Sequence, residues 1–255
     1  MWPALAPLVA TLLTLYPFRH GRKRLVRAAA RLAGGPLLWT TADGTRLLLD
    51  LANYIDREVV TRGGYERDAI DRMVHECAGC DAFLDIGANI GLYAIAVARA
   101  TKAAVVAFEP DPRNLGQLHA NLFLNALEGR VEARGEAVGR TPGAGTLHLQ
   151  RRAGDLSTAL SSMAEARARS RPHRVGVVAL DALFDWRGRR LAIKMDIEGF
   201  ETEALAGMTA LLANNSIFLQ VEIAERNLQE VRALLAGCGL EELPRAGDYL
   251  FRTKR

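Results

Sequence analysis

Cysteine is scarce in this chain, three residues in 255. An odd number in a chain of this length excludes a disulfide framework and points to a reducing compartment. Cys77 and Cys80 do form a C-x-x-C pair. No second pair or neighbouring histidine completes a zinc site, and a strand rather than a helix follows, so the pair reads as structural. The five histidines, at 20, 75, 119, 148 and 173, fall at no ligand spacing, and no metal site is expected from them.

Acidic residues are missing altogether before Asp43, whereas Arg19, Arg22, Lys23, Arg24, Arg27 and Arg31 precede it. Without those six, 27 basic residues face 29 acidic ones, so the formal net charge of +4 belongs to the N-terminal segment. The near-neutral remainder excludes a general nucleic-acid-binding surface. Charge of either sign is absent from Met1 to Phe18, a run at the lower length limit for a membrane span and weakened by Pro3, Pro7 and Pro17. The basic residues follow this run instead of preceding it, which makes a poor secretory signal. From Arg22 to Ala33 the charges at 24, 27 and 31 share one helical face, and Leu25, Ala29 and Leu32 share another. Two readings stand: an interfacial helix on an acidic bilayer, or an amphipathic helix packed on the protein with its arginines solvated. The expected location is cytoplasmic, with peripheral contact at the inner face of the membrane as the alternative.

The long glycine pattern of dinucleotide-binding turns is also missing. Ala82-Phe83-Leu84-Asp85-Ile86-Gly87-Ala88-Asn89-Ile90-Gly91 runs into the apolar segment Leu92 to Ala100 and reads as strand, tight turn and helix. Free backbone N–H groups and a helix N-terminus are expected to converge there, at the carboxyl end of a first parallel strand, on a cofactor crevice. Glycines only at 87 and 91 disfavour a hydride-transfer cofactor. Asp85 ends the strand, where a carboxylate can accept a hydrogen bond from a ligand's ammonium; this suits a cofactor bearing an amino acid. A second strand, Ala103 to Phe108, ends in Glu109, 24 residues beyond Asp85 and placed to hold both hydroxyls of a ribose.

A second chemical centre lies at Leu191 to Ile197. Lys194, Asp196 and Glu198 alternate with apolar residues, so all three are expected on one side of a strand in the middle of the sheet. Charge there is costly unless it is paired or used. A Lys–Asp ion pair and helix capping by Glu198 and Glu201 are the structural readings; catalysis is the functional one. Glu222, ending the apolar strand Ile217 to Ile223, faces the same rim.

Phe83 to Ala94, Val105 to Pro112, Asn114 with Asn121, and the block Lys194-Met195-Asp196-Ile197-Glu198-Gly199-Phe200-Glu201 together resemble the FkbM family of S-adenosylmethionine-dependent methyltransferases, over residues 44 to 223. The resemblance implies the class I methyltransferase fold: α/β, a Rossmann-like seven-stranded sheet with helices on both faces, closed by an antiparallel hairpin. It implies S-adenosylmethionine as cofactor and O-methylation of a hydroxyl on a small-molecule or glycolipid acceptor, commonly a sugar, with a polyketide-type metabolite as runner-up. The cofactor residues on this reading are Asp85, Gly87, Ala88, Asn89, Gly91, Glu109, Pro110 and Asn114. Glu136 and Ala137 stand at the height of the adenine, and Tyr65 and Glu66 close over the methionine end. Asp196 is the first candidate for the base, with Glu198 and Glu222 behind it and Lys194 orienting that carboxylate or holding the acceptor. A divalent metal joining Asp196 and another acid to the hydroxyl is an alternative that no sequence feature requires. Two rivals belong to other classes. A nicotinamide-dependent sugar oxidoreductase lacks its glycine pattern and its Tyr–Lys or His group here, and a non-catalytic membrane-associated binding protein leaves Asp196 without a task.

Residues 1–65 are expected to form a helix and hairpin extension and residues 66–255 the methyltransferase domain. The hairpin turns at Asp43-Gly44, and Ile70, Met73, Val74 and Cys77 mark a helix over Tyr65 to Cys77. Further helices are expected at Pro112 to Ala126, Thr202 to Leu212 and Ala224 to Ala236, with a weak strand at Arg130 to Arg134. Pro142 to Gly145 reads as a turn before a strand at Thr146 to Gln150. The polar, basic segment Arg151 to Arg174 reads either as an acceptor wall or as a solvated loop.

Overall fold

The computed structural model describes residues 6–15, 21–33, 35–150, 163 and 170–254. Parts of the apolar N-terminal run and most of the basic segment 151–174 lie outside the described residues, and the acceptor-wall reading falls there. Helices α1 (Ala6–Leu15) and α2 (Arg22–Ala33) precede a hairpin of β1 (Leu37–Thr40) and β2 (Arg46–Leu49), then α3 (Tyr54–Arg62) and α4 (Arg67–Cys77). Strands and helices next alternate as β3 (Ala82–Ile86), α5 (Leu92–Ala100), β4 (Ala104–Phe108), α6 (Pro112–Leu124) and β5 (Val131–Arg134). A separate small sheet of β6 (Ala137–Val138), β7 (Gly143–Gln150) and β8 (Ser170–Val178) interrupts that rhythm. The chain returns through α7 (Leu180–Leu183), β9 (Arg190–Met195), α8 (Glu201–Ala206), α9 (Thr209–Ala213), β10 (Ser216–Val221) and α10 (Leu228–Gly237) to β11 (Leu240–Ala246) and β12 (Asp248–Thr253).

Seven strands form one mixed sheet in the order β11-β12-β10-β9-β3-β4-β5. The five from β10 to β5 run parallel, and β12 and β11 add an antiparallel hairpin at one edge. Every residue of β3 is buried because helices cover both sheet faces, which is why this strand reads as an almost unbroken apolar run. Phe83, Ala192 and Phe218 point to the face under α4, α5, α6 and the N-terminal elements; Leu84, Ile193 and Leu219 point to the face under α8, α9 and α10. The chain moves outward from β3 to β4 and β5, then crosses to β9 on the other side. Such a reversal opens a crevice at the carboxyl ends of β3 and β9.

Several sequence expectations are corrected. α3 is a helix additional to those expected from the sequence. The helix expected over Thr202 to Leu212 is two helices, broken at Gly207 and Met208. A Cβ on Gly207 would lie 2.0 Å from the Gly139 carbonyl oxygen, and the Asp181 carboxylate accepts from Ala210 N and Leu211 N at 2.9 and 2.8 Å, starting α9 afresh. Gly143 to Gly145 is strand rather than turn because β8 pairs along its length, and Gly145 packs against Met163 and Val177 where a side chain would collide. α2 packs on the protein through Val26 and Ala29, which are buried in the core, and Arg22 Nε donates to Val60 O at 3.1 Å. No helix among the described residues is long and apolar enough to cross a membrane.

The N-terminal hairpin is held by a ladder of amide side chains. Along one side of α6 and its C-cap, Gln117, Asn121 and Asn125 bond the open edge of β2 as a neighbouring strand would. Asn121 Oδ1 accepts from Leu48 N at 2.7 Å, Gln117 Nε2 donates to Leu48 O at 2.7 Å, and Asn125 bonds both Arg46 N and Arg46 O. Asn121 Nδ2 also donates to Ile90 O at 2.9 Å, so the residue ties the hairpin to the glycine turn. Asn121→Ala leaves the half-buried Leu48 N–H and the buried Ile90 carbonyl unpaired and is expected to cost about 2–3 kcal/mol in urea unfolding, against less than about 1 kcal/mol for Asn125→Ala nearer the surface. Equal losses would show that the apolar face alone holds the hairpin.

Candidate active site

Parallel register aligns Asp85 of β3 with Lys194 of β9, and Lys194 with Gln220 of β10. Residues in register share a face, so these three form a polar row across the middle of the sheet, beneath α5. Asp196 and Glu222 continue that face one step beyond the strand ends, with Asp196 N bonded to Ile86 O and Glu222 N to Met195 O, each at 3.0 Å. Lys194 is buried, its Nζ 3.3 Å from Gly87 O, 3.4 Å from Asp196 Oδ2 and 5.3 Å from the centre of the Tyr93 ring. Burial works against its charge, but Asp196, Asp85 and Glu66 outweigh it and hold the ammonium above its ordinary value.

Asp85 is fully buried. Its Oδ2 accepts from Ala94 N at 3.0 Å, while Oδ1 has no partner. Burial pushes this carboxyl up to about 6 in spite of Lys194. Tyr93 donates to Glu66 Oε2 at 2.9 Å and accepts from Gln220 Nε2 at 3.0 Å, and the same Nε2 reaches Asp248 Oδ2 at 2.7 Å. Glu66 precedes α4 but does not cap it, since its side chain turns toward Tyr93 instead. Tyr65 is half-buried, and burial together with the Glu66 and Asp196 charges pushes its hydroxyl up. Glu66, Asn89 and Glu198, three non-glycine residues around this crevice, have left-handed backbone, with φ of 49°, 52° and 52°. Strain of this kind, on the order of 1 kcal/mol or more per residue, concentrates at functional sites. It also corrects the alternation expected through Glu198: β9 ends at Met195, and Glu198 sits in the turn beyond it.

Gly87 has φ of +83°, and a Cβ there would lie 1.9 Å from Asp196 O, so only glycine fits between the two chemical centres. Of the N–H groups expected to be free here, four are already bonded. Gly87 N and Ala88 N both donate to Phe108 O, Gly91 N donates to Ala88 O, and Asn89 N donates to Glu109 Oε2 at 2.7 Å. Glu109 also accepts from Asp111 N at 2.9 Å, with Asn114 Nδ2 at 3.5 Å, and burial pushes its carboxyl up to about 7. Asn114 is not the cap of α6, because Asp111 performs that task through Arg113 N. Its buried Oδ1 is left without a partner.

Beside Glu109, an apolar slot of about 30 Å³ is lined by Pro110, Glu136 and Ala137 together with Ile197, Phe200 and Leu147. Glu136 is held at its edge by Arg134, at 2.8 Å. Sequence reasoning missed Leu147, Gln220 and Asp248. Phe200 lies between Lys194 and Glu201 in sequence, and its aromatic ring is the signal that marks it. A second cavity of about 140 Å³ has Glu198, Glu222, Ile223 and Arg226 in its wall. Asp196 pushes the Glu222 carboxyl up to about 7, aided by burial, Asp248 and Glu198 and opposed by Lys194. Among the described residues, no cluster of three or more His, Cys, Asp or Glu has a metal-binding arrangement.

The buried carboxyls set an unusual pH dependence. Asp85, Glu109 and Asp56, the last pushed up to about 7 by burial between α3 and α6, keep their protons to higher pH folded than unfolded. Their contribution is therefore present at low pH and lost as pH rises toward 7. The urea midpoint of the ligand-free protein is expected to fall between pH 5 and pH 7.5, and less steeply in Asp56→Asn; a rising midpoint overturns the assignment.

The Methyltransferase FkbM domain matches residues 85–241, more than half of the chain. Hexuronic acid methyltransferase AglP of Haloferax volcanii is 27% identical over 219 residues, covering 77% of this chain and 83% of that protein. Among solved structures, a methyltransferase FkbM from Methylobacillus flagellatus is 16% identical with a TM-score of 0.47. It is matched by 98% of this chain, which spans only 59% of its length. A S-adenosylmethionine-dependent O-methyltransferase from Thermotoga maritima is 14% identical with a TM-score of 0.47, over 89% of this chain and 81% of that one. On the extent of the domain match, this chain belongs to the FkbM family of methyltransferases.

Proposed function

We propose that the protein is an S-adenosylmethionine-dependent O-methyltransferase whose acceptor is a hydroxyl of a sugar or glycoconjugate. One observation carries the cofactor: the buried, unpartnered Oδ1 of Asp85 beside a glycine turn four of whose N–H groups are already bonded. A carboxylate oxygen lacking a donor suits an ammonium, whereas spent N–H groups make no cradle for a pyrophosphate. The residues fit the group. Asp85 would hold the methionine ammonium, with Tyr65 and Glu66 closing that end, and Glu109 with Asn114 would hold the ribose. The slot at Pro110, Glu136 and Ala137 is apolar enough for the base.

When bound, this cofactor supplies a methyl group made electrophilic by a sulfonium. The chain must then hold an acceptor hydroxyl in line with that methyl and take its proton. Asp196, Glu198 and Glu222 are the carboxylates at the rim, and Lys194 ties Asp196 to the glycine turn. Support for a sugar comes from the hexuronic acid methyltransferase of Haloferax volcanii, at 27% identity.

Titration calorimetry tests the reading. Saturable binding of S-adenosylmethionine and S-adenosylhomocysteine, and none of NAD, is expected; binding of NAD alone, or of nothing, overturns it. Asp85→Asn and Glu109→Gln should weaken binding by about tenfold or more, from the loss of hydrogen bonds to charged groups. Asp196→Asn should spare binding, and equal loss in all three variants would sink the division of roles.

The same proposal places the chain in peripheral contact with an anionic bilayer. Leu8 and Leu12 of α1 are 58% and 64% exposed, and Lys23, Arg24, Arg27 and Arg31 of α2 are exposed on a segment without acids. Sedimentation with phosphatidylglycerol-containing vesicles at low salt is expected, and should be lost with phosphatidylcholine alone and in Arg24→Glu/Arg27→Glu. Absence of sedimentation with the anionic vesicles counts against it.

A further inference from the structure

Four carboxylates stand at the rim or just behind it, and the structure separates them by their surroundings. Asp196 leans back toward the sheet. Its Oδ2 is 3.4 Å from the ammonium of Lys194, which also bonds the Gly87 carbonyl, and the Asp196 backbone is pressed against Gly87. Held on that buried ammonium, Asp196 is not among the residues that line the cavity of about 140 Å³. Glu201 is spent on structure, accepting from Gly199 N at 2.6 Å and Asn227 Nδ2 at 2.9 Å. Glu198 belongs to the left-handed turn between β9 and α8. Glu222 lines the same cavity as Glu198 and Glu201, and it is the exposed one of the three. It follows the last residue of β10, its backbone bonded to Met195 O, so it stands beside Asp196 across two parallel strands, exposed and in the wall of the 140 Å³ cavity.

We infer that this cavity receives the acceptor and that Glu222, not Asp196, is its catalytic base, with Asp196 and Lys194 as the fixed charge pair that poises it. The inference rests on the methyltransferase reading above. In the transfer, a lone pair on the acceptor oxygen forms the new C–O bond as the C–S bond breaks with its electron pair staying on sulfur. The hydroxyl proton passes to a Glu222 carboxylate oxygen. The neighbours that face Glu222 are Asp196 on β9, Glu198 in the following turn, Asp248 on β12 and Lys194. The Arg226 guanidinium lines the same cavity. Asp196 and burial, with Asp248 and Glu198, outweigh Lys194 and keep a proton on Glu222 up to the range where a base operates best at neutral pH, whereas an isolated surface glutamate would ionise far earlier and attract the proton weakly.

Carbon-13 NMR of the carboxyl groups, with Glu222→Gln to assign the resonance, measures this poise without any acceptor. The Glu222 signal should titrate near pH 7 and move to lower pH in Asp196→Asn; a Glu222 signal titrating in the ordinary carboxylate range overturns the inference. S-adenosylmethionine calorimetry on the same proteins separates the two levels of the argument. Binding by Glu222→Gln within about threefold of wild type is expected. Failure of the wild-type protein to bind removes the methyltransferase reading itself and this inference with it. With a panel of methyl glycosides as acceptors, Glu222→Gln should lower turnover by about 10²–10⁴-fold. The wild-type rate should rise through pH 7, and that limb should be missing in the variant. Wild-type turnover by Glu222→Gln, with cofactor binding intact, discards only the assignment of the base.

Discussion

A charged ammonium buried in the middle of a parallel sheet is the constraint on which this structure turns. Lys194 lies on the central strand of seven, and the cost of dehydrating such a group is several kcal/mol unless anions surround it. They do. Asp85 stands in register on one neighbouring strand and Asp196 two residues further along, while the Tyr93 ring and Gly87 carbonyl complete the enclosure. Removing any one of these would leave the others uncompensated, so the two chemical centres of the chain are a single electrostatic unit.

The glycine turn belongs to that unit rather than to a phosphate cradle. Its carbonyl at Gly87 faces Lys194, four of its N–H groups are consumed by Phe108 O, Ala88 O and Glu109, and its close approach to Asp196 O leaves no space for a side chain. Asn121 fastens the far end of the turn at Ile90 and, through Leu48, couples it to the N-terminal hairpin. The hairpin is therefore part of what holds the crevice in shape, and its residues share one apolar cluster with Phe83 and Phe218 of the sheet.

Strain and dehydration both gather at the same place. Three left-handed non-glycine residues ring the crevice, and Asp85 and Glu109 are buried carboxyls pushed up toward neutrality. A fold that needed only stability would hold neither. These costs are borne by the packing of two apolar clusters on opposite faces of the sheet, where Phe83, Leu84, Ile193 and Leu219 are fully buried.

Much of the frame was legible in the residues themselves. The run Phe83 to Ile86, Gly87 at the turn and the unbroken apolar segment Leu92 to Ala100 could form only strand, turn and helix, because local periodicity and glycine conformation act within a few residues. Carboxylates at the ends of β3 and β4 were visible for the same reason. Long-range packing decided the rest. Asp181 restarts a helix 28 residues away, β8 draws Gly143 to Gly145 into a strand, and the amides of α6 bond the edge of β2. Which carboxylate pairs with Lys194 and which faces the cavity depends on the register between β9 and β10, and Gln220 enters the row for that reason alone. Sequence determined the elements and where their charges fall, since those follow from nearest neighbours along the chain. Only the tertiary structure decided which of those charges meet, since burial and register are properties of neighbours in space.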